Sequence, residues 1–144
     1  MTAKEYLQQV RLLDLKIQHR MEEKETLMSM ASGVSAVSGS PDKVQTSGST
    51  EGPSRYVDKY VDMEKEITAL IDRYIELRNL VISQIHQLED ARYVEVLHQR
   101  YVNCYSFELI AVNMHYSIRR IYQLHGDALQ EFSKKHSILF HGLV

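Results

Sequence analysis

Residues 106–129, SFELIAVNMHYSIRRIYQLHGDAL, decide the fold. Serines stand at 106 and 117, and each can cap a helix, because its hydroxyl can accept from an unpaired backbone N–H one turn on. Glu108 falls in the first turn of the upstream helix, where a carboxylate suits the helix dipole. Phe107, Ile110 and Ala111 give that helix an apolar side. Ile118, Ile121, Leu124, Ala128, Leu129 and Phe132 recur at steps of three and four along the next. Asn113-Met114-His115-Tyr116 supplies the turn between them. The spacing predicts a helix-turn-helix, with the small Ala111 where two helices cross and with Ile110, Ile121 and Leu124 filling the space between. A short turn holds the second helix out from the body, so its early polar positions face outward. Ser106, Tyr116, Ser117, Arg119, Arg120, Tyr122 and Gln123 are accordingly the candidate DNA-binding residues. Arginine pairs with guanine edges or phosphates, glutamine with adenine and serine with phosphate. The helix N-terminus itself favours an anion. Gly126 costs this helix about 1 kcal/mol against alanine, and reads either as room for a close contact or as a slight weak point.

Working outward, Asp90 can cap a helix carrying Tyr93, Val94, Val96, Leu97 and Tyr101, which Asn103-Cys104-Tyr105 ends. Residues 2–31 read as a long helix with Tyr6, Val10, Leu13, Ile17 and Met21 on one stripe, and with Thr2 and Glu5 at capping-box spacing. A second long helix is expected over 55–88, with Tyr60, Met63, Ile67, Leu70, Tyr74, Leu77, Val81, Ile85 and Leu88 in register. Between them, residues 33–54 are rich in Gly, Ser and Thr and hold both prolines of the chain, Pro41 and Pro53, a composition that predicts a flexible linker. An ordered loop docking through Val44 and Gln45 is the other reading of that stretch. The simplest arrangement is an antiparallel, coiled-coil-like hairpin over 1–89, followed by the helix-turn-helix domain over 90–144, with 135–144 as a tail. Leu12, Leu15, Leu27, Leu80 and Ile82 are left over from the two main stripes and point to self-association, a dimer being favoured. The fold class is all-α.

Composition bounds the function. The 144 residues carry a formal charge of −2, so no global field draws the chain to nucleic acid or to an anionic membrane, and any DNA site must be local. Residues 90–144 hold six Lys and Arg against five acids, and residues 55–89 five against seven. A monomer with so few cations should bind DNA weakly and lose affinity with salt, whereas a dimer would double the contacts. The single cysteine, Cys104, excludes an internal disulfide and fits a reducing cytosol. Charges interrupt the apolar run of the first twenty residues, unlike a signal peptide. No stretch approaches the roughly 18 uncharged apolar residues of a membrane span. A soluble, cytoplasmic protein without a membrane partner is expected. Seven histidines and Cys104 show no metal-binding spacing, and no phosphate loop or catalytic carboxylate motif occurs, so neither a metal, a cofactor nor an enzymatic activity is expected.

The stretch YVEVLHQRYVNCYSFELIAVNMHYSIRRIYQLHGDAL, residues 93–129, resembles region 4 of the sigma-70 family. Val96, Leu97, Arg100, Tyr101, Glu108, Ile110, Ala111, Ser117, Arg120, Ile121, Gln123, Ala128 and Leu129 fall on that pattern. The chain departs from it at Ile118 and Tyr122, where sigma recognition helices carry polar or basic residues. YLQQVRLLDLKI near the N-terminus, VQTSGS in the linker and LEDARYVEVLHQRYV at the junction are similar to a prophage family of Gram-positive bacteria, the sigma-factor-like late-transcription regulators of the ArpU and RinA kind. The resemblance implies a phage transcriptional regulator in a bacterial host cell. It would bind double-stranded DNA, contact RNA polymerase, or both. It implies no promoter-melting region, so the chain would not replace a full sigma factor. Two other classes share these parts: a DNA-packaging oligomer like small terminase subunits, and a protein-interaction module that no longer binds DNA.

Overall fold

The computed structural model describes residues 1–37 and 51–141, and among these every regular element is helical. Helices α1 (Ala3–Val37) and α2 (Glu51–Ile85) are long; α3 (Ala91–Leu97) runs into a π-helical turn (His98–Val102). Then follow α4 (Phe107–Met114), α5 (Ile118–Lys135) and the single-turn α6 (Ile138–His141). The chain forms two compact units, Met1–Leu13 with Tyr74–Val144 and Asp14–Arg73. The expected boundary between residues 89 and 90 is not where the division falls. Ala3, Tyr6, Leu7 and Val10 of α1 and Val81 and Ile85 of α2 lie in one core with Val96, Leu97, Ile110, Ile121, Leu124 and Phe132. Each fully buried aliphatic or aromatic side chain in such a core contributes about 1.5–3 kcal/mol, so this core needs the ends of both long helices.

In that first unit α1 begins on the expected capping box. The Thr2 backbone N–H donates to Glu5 Oε2 at 2.8 Å, and the Glu5 N–H donates to Thr2 Oγ1 at 3.1 Å. The bond from the Thr2 backbone N–H is the main reason the Glu5 carboxyl is held below its ordinary pKa. Leu7, absent from the stripe read in the sequence, is fully buried. The Tyr6 hydroxyl donates to Gln84 Oε1 at 2.6 Å, and the ring meets Phe140 edge-on at 5.7 Å. Residues 135–141, expected as part of a tail, pack back on this core. His136 caps α5, its Nε2 lies 3.0 Å from the Gln84 carbonyl, and Phe140 packs on the core. Among the described residues no buried side-chain polar atom lacks a hydrogen-bond partner.

The second unit pairs residues 14–37 of α1 with residues 51–73 of α2. Arg20 Nε reaches Glu66 at 3.2 Å and Lys24 Nζ reaches Glu64 at 3.2 Å, so rising numbers on one helix meet falling numbers on the other and the two run antiparallel. Ile17, Ile67 and Leu70 are the buried residues here among those described. Arg20 and Lys24 continue the three–four stripe of Ile17, and Lys24 also sits 5.0 Å over the Tyr60 ring. These half-exposed pairs are worth about 0–1 kcal/mol each, but charges within a seam help to fix its register. Met21, expected on the stripe, is 49% exposed, because the step from Ile17 lands on Arg20 instead.

The expected linker 33–54 is shorter than its composition implies. α1 continues through Gly33 to Val37, and α2 starts at Glu51 with Pro53 in its first turn, where a missing N–H costs nothing. The rest of that stretch, with Val44 and Gln45, lies outside the described residues.

Candidate nucleic-acid interface

The approach to α4 is held by side chains from α3 and the π-turn. Asp90 caps α3 by accepting from the Arg92 N–H at 2.9 Å and from its guanidinium at 2.9 Å, which holds the Asp90 carboxyl below its usual range. In the π-turn the Asn103 N–H donates to the His98 carbonyl at 3.1 Å, a bond that spans five residues. Cys104 then takes a left-handed conformation (φ 57°) and turns the chain. Arg100 closes this corner: Nη1 donates to the Tyr105 carbonyl at 3.0 Å, and the guanidinium lies 4.0 Å over the Phe107 ring. Buried Gln99 ties the turn to α4, accepting from Asn113 Nδ2 at 2.9 Å while donating to Glu95 at 2.7 Å.

Both serine caps form as expected. Ser106 Oγ accepts from the Leu109 N–H at 3.2 Å, and Ser117 Oγ accepts from the Arg120 N–H at 3.1 Å. α4 ends in a left-handed residue, His115 (φ 61°). The Tyr116 N–H donates to the Ala111 carbonyl at 3.0 Å, and the His115 N–H to the Val112 carbonyl at 3.3 Å, the two bonds of a Schellman cap. Residues 115–117 thus join α4 to α5. Ile110 and Ala111 are buried in the same core as Ile121 and Leu124, as their spacing predicts. Ser117→Ala should lower unfolding free energy by about 1 kcal/mol in a urea titration, since it strands a helix-terminal N–H. An unchanged midpoint would mean water replaces the hydroxyl at no cost.

The seven candidate residues gather around the start of α4 and of α5. Ser106 and Ser117 are exposed, but their hydroxyls already serve as caps. Arg119 and Gln123 are exposed on α5, and Arg120 is half-buried with Nη1 3.5 Å from Gln123 Oε1. Tyr116 in the turn is exposed. Tyr122 is 51% exposed, its ring propped at 5.1 Å against Phe107. Sequence reasoning missed the apolar company they keep on α4, where Leu109 and Val112 are exposed, Val112 to 70%; Ile118, which the resemblance alone set at a recognition position, is exposed as well. Ile118 reads as core because it lies three residues before Ile121, yet it also lies four before Tyr122, and that second stripe is the one turned outward.

Beneath this surface His125 is held between aromatic rings. Its Nε2 lies 2.7 Å from the Tyr101 hydroxyl, within hydrogen-bond distance, and Phe107 meets it edge-on at 4.9 Å. Burial, with Arg100 and Lys4 adding repulsion, pushes the His125 pKa down to about 4, and burial pushes Tyr101 up to about 12. Since the folded pKa lies below the unfolded value of about 6.5, both states are neutral above that pH and stability is flat there. Between about 6.5 and 4 only the unfolded chain takes up the proton, so stability falls as pH falls, at no more than about 1.4 kcal/mol per pH unit and less after screening of the half-exposed ring. His125→Gln should flatten that segment of the pH–stability curve; an unaltered slope would place the loss elsewhere.

Among the described residues no three His, Cys, Asp or Glu side chains are grouped to hold a metal, and no helix is long and apolar enough to cross a membrane. His86 and His98 lie 3.2 Å apart through their ring nitrogens, and burial followed by repulsion from His86 holds the His98 pKa low. No family model matches the chain, and neither a curated protein nor a solved structure matches it.

Proposed function

We propose that this chain is a DNA-binding transcriptional regulator of the phage sigma-factor-like kind, acting through a helix-turn-helix formed by α4 and α5. The observation that supports this most is the outward start of α5: a Ser117 cap, then Arg119, Tyr122 and Gln123 exposed in its first two turns, with no acidic residue before Asp127. α5 would enter the major groove, α4 would cross the phosphate backbone, and the free N–H groups at each helix start would face phosphate oxygens. The antiparallel pair over 14–73 would serve self-association. Met21, Met28, Val57 and Val61 are exposed there and offer apolar area to a second copy. A dimer would set two recognition helices about one DNA turn apart. RNA polymerase contact through a neighbouring surface belongs to the same proposal.

The test is selection of genomic fragments by purified protein at ~150 mM salt, where non-specific binding is weak, with light scattering for mass. Enrichment of one short sequence by a small oligomer supports the regulator. Sequence-indifferent binding by a large ring would favour DNA packaging instead. A second reading, a protein-interaction module, is favoured by exposed Leu109 and Val112 on α4; a folded protein that enriches no DNA would establish it over the first.

A further inference from the structure

We infer that the outer face of α5 reads thymine methyl groups, through Ile118 and Tyr122, at a site that also offers guanine or phosphate to Arg119 and adenine to Gln123. This rests on the DNA-binding reading above and narrows it to a base composition. Ile118 is 37% exposed and Tyr122 51% exposed. Four residues apart, they share one helix face, separated by about 6 Å along the axis, roughly two base-pair steps. Within the major groove the one apolar group presented by any base is the C5 methyl of thymine. The Ile118 side chain and the Tyr122 ring at the start of the helix are therefore complementary to a run containing thymines, the base whose edge offers an apolar group.

Three further observations support this occupant. Arg119 and Arg120 are the charged residues of α5 before Asp127, so the same turn that presents the apolar pair is complementary to a polyanion. The Tyr122 ring is held at 5.1 Å against Phe107, so its direction is set before any partner arrives. Gly126, one turn beyond Tyr122 on the same face, is exposed, and a Cβ there would meet nothing within 4 Å. No packing among the described residues calls for that glycine, although it weakens an interior helical position. Its place keeps the face flat for a surface approaching from outside.

The experiment replaces thymine by uracil, which removes only the methyl, in the duplex enriched by selection. Affinities of wild-type, Ile118→Ala and Tyr122→Ala proteins are measured for both duplexes by fluorescence anisotropy, with circular dichroism to confirm that each variant is folded. The expected result is a five- to twenty-fold weaker hold on the uracil duplex by the wild type, and a smaller or absent difference for each variant. Equal wild-type affinity for the two duplexes overturns the thymine inference and leaves DNA binding standing. So does a methyl effect that persists undiminished in both variants. If wild-type protein binds no duplex at all, the DNA-binding reading falls and the inference falls with it.

Discussion

Phe132→Ala is expected to destabilise the unit that carries α5 by about 3–5 kcal/mol, the range for emptying a large buried aromatic site. Phe132 is fully buried. Its ring lies 4.7 Å from His136, and 6.1 Å from both Tyr6 and Phe140. These neighbours come from α1, from α6 and from the cap of α5, and Tyr6 and His136 are each held by a hydrogen bond to Gln84, so the cavity has little freedom to close. Against a typical domain stability of about 5–15 kcal/mol, the loss is a large part of the whole. Urea unfolding followed by circular dichroism would measure it. Met28→Ala in the other unit, half exposed, is the control and should shift stability by no more than about 0.5 kcal/mol. A Phe132 loss under 1 kcal/mol would mean that the core repacks around the gap.

The double change Arg119→Ala with Arg120→Ala is expected to weaken binding to the selected duplex by roughly 30- to 1,000-fold, about 2–4 kcal/mol, with the fold retained. Each arginine removed from a phosphate should also lower the slope of log affinity against log salt by about 1. The exposed Arg119 can be changed alone without touching the core; Arg120 is half-buried, so its variant needs the dichroism check. The reason for so large an effect is scarcity. Residues 90–144 carry only six Lys and Arg, and two of them stand at the start of α5. Affinity for every duplex unchanged in the double variant would remove DNA from the proposal and favour a protein partner.

The local parts of this architecture were legible in the sequence because their signals are local. Thr2, Asp90, Ser106 and Ser117 each announce a cap through one residue and its position before an apolar run, and each forms one. Ile110, Ala111, Ile121 and Leu124 announce a shared core by periodicity, and all four are buried. Periodicity says that a residue seeks cover, not where it finds it. Nothing in YLQQV shows that Leu7 and Val10 share a core with Phe132 rather than serving the helix pair alone. Nor does KHSILFHG reveal that Phe140 will meet Tyr6. The π-turn over His98–Val102 has no residue signature, since its wider hydrogen bond follows from the corner that Arg100 and Gln99 hold. At the candidate interface the seven polar and aromatic positions were readable from register. The exposed Leu109 and Val112 were not, because an apolar residue near a core stripe counts toward the core until geometry turns it out.

The contact of Tyr6 with Phe140 and the hydrogen bond of Tyr6 with Gln84 bring early, middle and late segments of the chain into one place. Contacts so far apart in sequence close large loops, and the entropy of closure is spent before the contacts return it, which slows folding. A ribosome makes the first of these residues well before the last. α1 can wind as soon as it emerges, but Leu7 and Val10 stay without their final cover until the segment around Phe132 and Phe140 has followed. The surface that carries Arg119 and Tyr122 thus matures only after the segment around Phe132 and Phe140 has been made, and a shorter fragment would present an unfinished version of it. A fragment that stops short of Phe132 lacks part of the core that Leu7 and Val10 share, so the scaffold beneath α5 is incomplete in it.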